Sequence, residues 1–464
     1  MPGTPKPTTT QDLAAALRAR VKGAVYEPAD TEYAAETAAF NTSVLHKPQA
    51  VVAVTSANDV AETVRVARDG GVKISVQSTG HGAIAPIEGG ILISTRALQG
   101  VSVDPSARVA TIAGGSPFAP VVAAAAEHGL APIGGSSTTV GVVGYLAGGG
   151  LGPLARSHGF GADYIAGLTV VTGTGEVIDA DVDHHADLFW ALRGGKSGLG
   201  IVTSLRLRLA ELCALYGGSI YFDEPHIEQA LRGWIHWTRT ADPRLTTSVA
   251  IIRFPPLDVI PAPLRGRRLL ALRVAYPAAN PGDLKEGARL AEPLRALAPI
   301  HLDGASELSP TEITRVHNDP PQPTPSWVRG LLMTHVDQDF ASVFLRYFGA
   351  GTDAPFIAAE VRHIEGATRQ DVPEGSAVGG RGAAFTLGVI AGNPALFEKA
   401  PAAHARIVDD VRPWTAAESN INFMVKPASE AQLATAWPAE TFARLAEVRR
   451  RYDPDGVFNA NAGY

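Results

Sequence analysis

Glycine is distributed unevenly along this 464-residue chain: the 48 glycines are concentrated between Gly70 and Gly200, with Gly148-Gly149-Gly150 inside that stretch. Glycine belongs where the backbone turns through positive φ or comes too close to another group to leave room for a Cβ. The stretch therefore reads as a site rather than a linker. A chain of 464 residues also exceeds the roughly 250 to 300 residues that one hydrophobic core supports, so a second folding unit is expected. With 45% hydrophobic and 19% charged residues, there is enough apolar material for full cores and too little charge for disorder.

Charge and cysteine content remove several classes of function. A net charge of -6 provides no basic excess to neutralise a phosphate backbone, so nucleic acid is not an expected partner. The single cysteine, Cys213, excludes an internal disulfide framework and a thiolate zinc cluster. Arg18 and Arg20 interrupt the only Ala/Leu-rich stretch near the start, which does not read as a signal peptide. No window reaches the roughly 18 apolar residues of a membrane span. No membrane partner and a cytoplasmic location are the expectation, and Asn41-Thr42-Ser43 reads as a chance glycosylation sequon.

Periodicity predicts a helix over residues 56–69, capped by Ser56, with Val60, Val64 and Ala67 on one face and Gly70-Gly71 as its stop. Short strands follow near 74–77, 91–94, 101–104 and 109–113, then a helix near 118–128 and strands at 168–172 and 177–180. Val202, Leu205, Leu207 and Leu209 continue at strand spacing, and the composition changes near Cys213, where a boundary is placed. Beyond it, strand-like runs at 247–254, 268–276, 359–364 and 384–391 alternate with helix-like runs. The Pro-rich stretch 319–325 is expected to loop over a pocket, and a last helix is predicted over 440–452.

Several familiar motifs fail on inspection. Gly195-Lys196-Ser197 looks like the end of a phosphate-binding P-loop, but the first glycine would fall at Trp190. Gly148 to Gly152 lacks the spacing and the acidic residue of a nicotinamide-binding unit. Asp181, Asp183, His184, His185 and Asp187 are metal-like in type but read as a helix-start loop, and no metal site is expected. The positive signal is Gln77-Ser78-Thr79-Gly80-His81-Gly82, a small-residue turn directly after a strand, whose backbone N–H groups can converge on an anion such as a pyrophosphate.

His81 in that turn, the block Gly134 to Gly150, Asp187 to Gly195, Gly200-Ile201-Val202-Thr203, Asn420 to Phe423 and Tyr452 to Asn459 occur in order. Together they resemble the p-cresol-methylhydroxylase-type FAD domain, in the berberine-bridge-enzyme-like branch of the vanillyl-alcohol-oxidase flavoproteins. The resemblance covers residues 46–464, loosely in the middle. It implies an α+β fold: a two-lobed FAD-binding domain from residues 1–210 (core 46–210), completed by 416–464, around an α+β substrate domain, 211–415, with a mainly antiparallel sheet.

For individual residues, the resemblance implies that His81 bonds covalently to the flavin 8α-methyl group and that Ser78, Thr79, Gly80 and Gly82 hold the pyrophosphate. Gly141, Gly144 and Gly148 to Gly150 would pack on flavin and ribityl chain, with Gly135, Ser136, Ser137, Gly200, Ile201, Val202 and Asn459 completing the cofactor site. Some relatives carry a second, cysteinyl tether in this block; Ser137 stands there, so one bond is expected. Val140 falls where a small side chain admits dioxygen, or is an ordinary valine. The tyrosine base of many relatives is missing, since the corresponding run is Trp437-Pro438-Ala439-Glu440-Thr441. Glu360 is the first candidate base, with a pKa raised by burial, or else it forms a salt bridge with Arg362 on the same strand face. Tyr145 and Asn422 are further catalytic candidates.

The implied activity is that of an FAD-dependent oxidase or oxygenase, with hydride transfer to flavin N5, dioxygen as acceptor and a phenolic or polyketide-like small molecule as substrate. The alternatives are a dehydrogenase with another acceptor, or a cyclase or ligand-binding protein in which FAD is structural.

Overall fold

A computed structural model describes residues 10–424 and 430–459. The outer parts of the expected lobes at 1–9 and 460–464, and residues 425–429, lie outside the described residues.

The chain opens with a four-stranded sheet in the order Ala24–Tyr26, Ala50–Ala53, Ile91–Ser94, Ile74–Gln77, the last three parallel. Parallel neighbours need a crossover, supplied by the helix Ala57–Gly70. Its limits follow from local chemistry: Ser56 Oγ accepts from the Asp59 amide at 3.2 Å, and Gly71 takes the left-handed conformation at φ 66°. Val60, Ala61, Val64 and Ala67 are buried against Ile74, Ile91 and Ile93. Burying each large aliphatic side chain contributes roughly 1.5 to 3 kcal/mol, so this face holds the crossover in place.

A second, five-stranded antiparallel sheet follows, ordered Val101–Asp104, Val109–Ala113, Ile201–Arg208, Ile165–Val171, Val177–Ala180. Its strand Ile201–Arg208 buries Leu205 and Leu207 and turns Arg206 and Arg208 outward. The chain end returns here: Leu445, Val448 and Tyr452 of the helix Ala439–Tyr452 join the cluster of Leu188 and Trp190. Val457 and Phe458 pack into the core of the first sheet.

Between these passages lies an eight-stranded sheet ordered Ile300–Asp303, Ala214–Asp223, Arg268–Ala278, Thr246–Arg253, Ala358–His363, Phe385–Ala391, Trp327–Met333, with Ser306–Leu308 beside the second strand. All of its pairings are antiparallel. Helices Ile227–Thr238, Leu284–Arg295, Gln338–Phe348 and Ala400–Val411 cover one face through a core that includes Trp234, Phe340, Val361 and Leu387. Because side chains alternate along a strand, Val361 points to those helices while Glu360 and Arg362 occupy the opposite face.

The strand Ala214–Asp223 is absent from the sequence-based expectation. Gly218 lies within it at φ 133°, and the carbonyl of Gly304 passes 2.4 Å from where its Cβ would stand, so the position requires glycine. The stretch 319–325 contains no helix or strand. It is clasped to the first lobe, with the Thr42 amide donating to Thr324 O at 3.2 Å and the Thr324 amide to Phe40 O at 3.0 Å. Asn41 is buried and donates through Nδ2 to Ala83 O and Ser326 O, which leaves no sequon side chain open to modification.

Candidate functional site

A cleft of about 860 Å³ lies between the first two sheets. Its walls are Ile74 to Ser78, Gly114, Val143-Gly144 and Ala147, Lys196 to Gly198, Gly200 to Val202, and Phe458-Asn459. Of the cofactor residues expected from the sequence, Ser78, Gly144, Gly200, Ile201, Val202 and Asn459 line it. Nothing lies within 4 Å of a Cβ built on Gly144, so that backbone faces open space. Gly200 sits at φ 132°, and a Cβ there would come within 2.5 Å of Val170 Cγ1. Asn459 is fixed by its amide, which donates to Ile74 O at 2.8 Å.

Lys196 is the one charged side chain among the described residues lining the cleft. Its Nζ donates to Gly144 O at 2.8 Å and to Asn422 Oδ1 at 2.7 Å, and burial pushes its pKa down to about 8. The sequence did offer a signal, Gly195-Lys196-Ser197, but P-loop spacing was the wrong test. This lysine meets the cleft from a loop packed under the helix Val142–Leu146, not from a P-loop helix.

The turn after strand Ile74–Gln77 is held by its small side chains. Ser78 Oγ donates to Gly115 O at 2.9 Å, and the Gly141 amide donates to Thr79 Oγ1 at 3.3 Å. Gly80 sits at φ 73°, with Ala39 Cα only 2.6 Å from a built Cβ, while Gly82 is exposed. His81 stacks on Phe40 at a centroid separation of 3.7 Å. Its Nδ1 lies 2.8 Å from Thr79 Oγ1 and its Nε2 3.0 Å from Thr139 Oγ1. Burial lowers the ring's pKa to about 4, so the imidazole is neutral near pH 7.

Residues 135–141 run from this turn toward the third sheet. Ser137 Oγ and Thr139 Oγ1 are 2.9 Å apart, and Ser136 Oγ donates to Asp319 at 2.5 Å. Half-buried Val140 packs against the core of the second sheet and accepts from the Phe118 amide at 3.0 Å. Gly135 lies against Tyr145, whose ring atom Cζ is 3.1 Å from a built Cβ.

The three catalytic candidates look different in place. Glu360 was expected to have a raised pKa. Burial does push it upward, but Arg362 and Arg273 override this and hold the carboxyl well below its usual range. Arg362 Nε donates to Oε2 at 2.7 Å, Ser248 Oγ to Oε1 at 2.8 Å, and Arg273 Nη1 grips Oε1. An ionised carboxylate saturated in this way is a poor base, so the salt-bridge alternative describes Glu360. Tyr145 does not face the cleft. Its ring packs against Phe118, Gly135 and Gly150, its buried hydroxyl has no hydrogen-bond partner among the described residues, and desolvation raises its pKa, so the phenol stays protonated. Asn422 braces rather than waits for substrate: Oδ1 accepts from Lys196, and Nδ2 donates to Tyr145 O at 3.0 Å. Gly148 permits this, since a Cβ there would lie 2.1 Å from Asn422 Oδ1.

Residues 48–181 match the family described as FAD binding domain. The first lobe holds an FAD-binding domain. The chain is 37% identical over 194 residues to (R)-6-hydroxynicotine oxidase of Paenarthrobacter nicotinovorans, covering 41% of this chain and 42% of that protein. The matched stretch thus spans less than half the length of that relative. Across nearly the whole chain the fold is that of 6-hydroxy-D-nicotine oxidase from Arthrobacter nicotinovorans, with a TM-score of 0.81 at 24% identity over 95% of this chain and 97% of that one. BBE-like 1 of Physcomitrella patens gives 0.81 at 19% identity over 97% and 98%. The chain therefore shares the α+β architecture of these solved structures, with an antiparallel third sheet. Among the described residues no helix is long and apolar enough to cross a membrane.

Proposed function

We propose that this flavoprotein is an FAD-linked oxidase or oxygenase that holds one FAD covalently through His81 and oxidises a small phenolic or polyketide-like molecule with dioxygen as acceptor. Residues 1–210 and 416–464 form the cofactor unit in this reading, and 211–415 the substrate unit. The observation that carries it is the cleft itself: about 860 Å³, walled by backbone at Gly144 and Gly200, with Lys196 as its cation, ending at the turn that bears His81. A long dianionic cofactor matches such a site, because glycine lets its chain lie against backbone and the lysine offsets its phosphate charge.

FAD seated there supplies a two-electron acceptor that dioxygen can reoxidise. The protein's own groups supply the rest. Ser78, Thr79 and Gly80 present the turn to the pyrophosphate, and Ser136, Ser137, Val140 and Gly141 wall the flavin. Val140, small and half-buried, leaves room for dioxygen. The neutral ring of His81 keeps a nitrogen lone pair for carbon, and the Phe40 stack fixes its plane. With Ser137 in place of a thiol, one tether forms. Asn422 and Lys196 brace the cleft, and Arg362 presents a fixed cation where the third sheet faces the first lobe.

Acid precipitation tests the tether. The pellet is expected to be yellow and the polypeptide heavier by one FAD, with His81→Ala releasing the pigment to the supernatant. A colourless wild-type pellet defeats the covalent link. Rapid reoxidation by air after anaerobic reduction is the outcome expected of an oxidase, and slow reoxidation overturns dioxygen as acceptor.

A further inference from the structure

The inner face of the third sheet carries one more guanidinium than it has carboxylates in direct ion pairs among the described residues. Arg273, Arg362 and Glu360 are two cations and one anion, and Arg273 and Glu360 are only 7% and 8% exposed. Both oxygens of Glu360 are engaged, Oε1 by Arg273 and Ser248 and Oε2 by Arg362. Arg362 spends only Nε on it; among the described residues no group accepts a hydrogen bond from either Nη, and the side chain keeps 21% of its surface open.

Arg362 lines, with Arg273, Ser248, His317 and the first lobe's Gly152-Pro153, a small, partly open recess. Both ring nitrogens of His317 and Nε of Arg273 are buried there without hydrogen-bond partners among the described residues. His317 Nε2 stands 3.4 Å from Glu360 Oε1, outside hydrogen-bonding geometry, and burial together with Arg273 keeps its ring neutral. The other ionisable groups felt here are the Tyr145 phenol, which is a donor, and Asp319. Asp319 is exposed, accepts from Ser136, and makes no ion pair with Arg362.

The recess is therefore rich in donors and poor in acceptors. A buried donor left without an acceptor costs about 1 to 3 kcal/mol, so the arrangement is completed by a molecule that brings acceptor oxygens. The planar Nη fork of an arginine already oriented through Nε suits two coplanar oxygens. One uncompensated positive charge suits a monoanion better than a phosphate dianion. Within the proposed activity, we infer that the substrate carries a carboxylate, which seats on Arg362.

The test compares benzoate with benzamide, which has the same shape but no charge, by titration calorimetry on the holoenzyme as purified. Wild type is expected to bind benzoate at least about 10-fold more tightly than benzamide, as charge-assisted hydrogen bonds to a fixed guanidinium require. Arg362→Gln should abolish that preference and leave benzamide unchanged. Arg362→Lys, which keeps the partner of Glu360 and so protects the fold, should retain part of it. Equal binding of the two probes, binding of neither, or an Arg362→Lys variant that discriminates as well as wild type overturns the inference. Calorimetry needs no pigment, so a colourless protein that prefers benzoate defeats the proposed function and leaves the carboxylate site standing.

Discussion

The cofactor cleft and the inner face of the third sheet are built by opposite means. The cleft is shaped by side chains left out: Gly144 and Gly200 open its walls, and a single lysine charges it. The sheet face is shaped by side chains put in, with two guanidiniums and a carboxylate locked together in a nearly dry setting. In the first region the backbone is the recognition surface, and a methyl group is enough to ruin it. In the second, charge balance is what matters, and removing one partner strands the others.

That contrast gives its largest expected effect at Glu360. Glu360→Gln leaves Arg273 and Arg362 side by side with no counter-charge, which costs about 3 to 5 kcal/mol, read as a lowered urea midpoint. A variant that keeps its midpoint and loses only turnover would restore Glu360 as a base and break the comparison. On the other side, Gly200→Ala forces a Cβ into Val170 at a backbone angle that side chains avoid. The expected loss is about 2 to 3 kcal/mol, with flavin content falling alongside the melting temperature. An alanine variant with full flavin content would show that the wall yields.

The same contrast explains what was legible in the sequence. Gly80, Gly200 and the capped helix Ala57–Gly70 could be read because local geometry dictates them, and the order of such blocks marks the fold. Glu360 with Arg362 was also legible as a same-face pair, since they are two residues apart on one strand. Arg273 and Ser248, which settle the protonation of Glu360, arrive from strands about a hundred residues away, and no spacing announces them. The surroundings of Tyr145 were hidden for a related reason: a five-residue helix does not reveal which of its sides packs against Phe118 and Gly150. Lys196 was visible but was tested against the wrong motif.

A smaller effect separates the regions by pH. Burial lowers His363 to about 4 from an unfolded value near 6.5. Its Nε2 lies 2.6 Å from Arg156 Nη1 and 3.2 Å from Glu365 Oε2, and burial with the Arg156 charge outweighs the pull of Glu365 toward protonation. Below pH 6.5 the unfolded chain binds the proton first, so stability is full above about pH 6.5 and drains away as pH falls toward 4. The contribution of this one ring is at most roughly 3 kcal/mol. His363→Phe, which keeps the stack on Phe385, should flatten stability against pH over that window. An unchanged slope would assign the acid sensitivity to the other histidines lowered to about 4, His81 and His404.

The finest distinction rests on Lys196. If the cleft binds by shape, its one cation adds little; if it offsets phosphate charge, removing it weakens FAD by about 10-fold, the worth of one charge-assisted contact. Measurement needs an exchangeable cofactor, so the comparison is His81→Ala against His81→Ala with Lys196→Met, followed by fluorescence as FAD is titrated in. The pH dependence supplies the second reading. With the ammonium pushed down to about 8, FAD affinity in His81→Ala should fall as pH rises through 8, because the neutral amine no longer offsets phosphate. In the double variant the curve should be flat across the same range. Parallel curves would mean that Lys196 serves only to brace Asn422 and Gly144, and that the cleft selects its ligand by backbone alone.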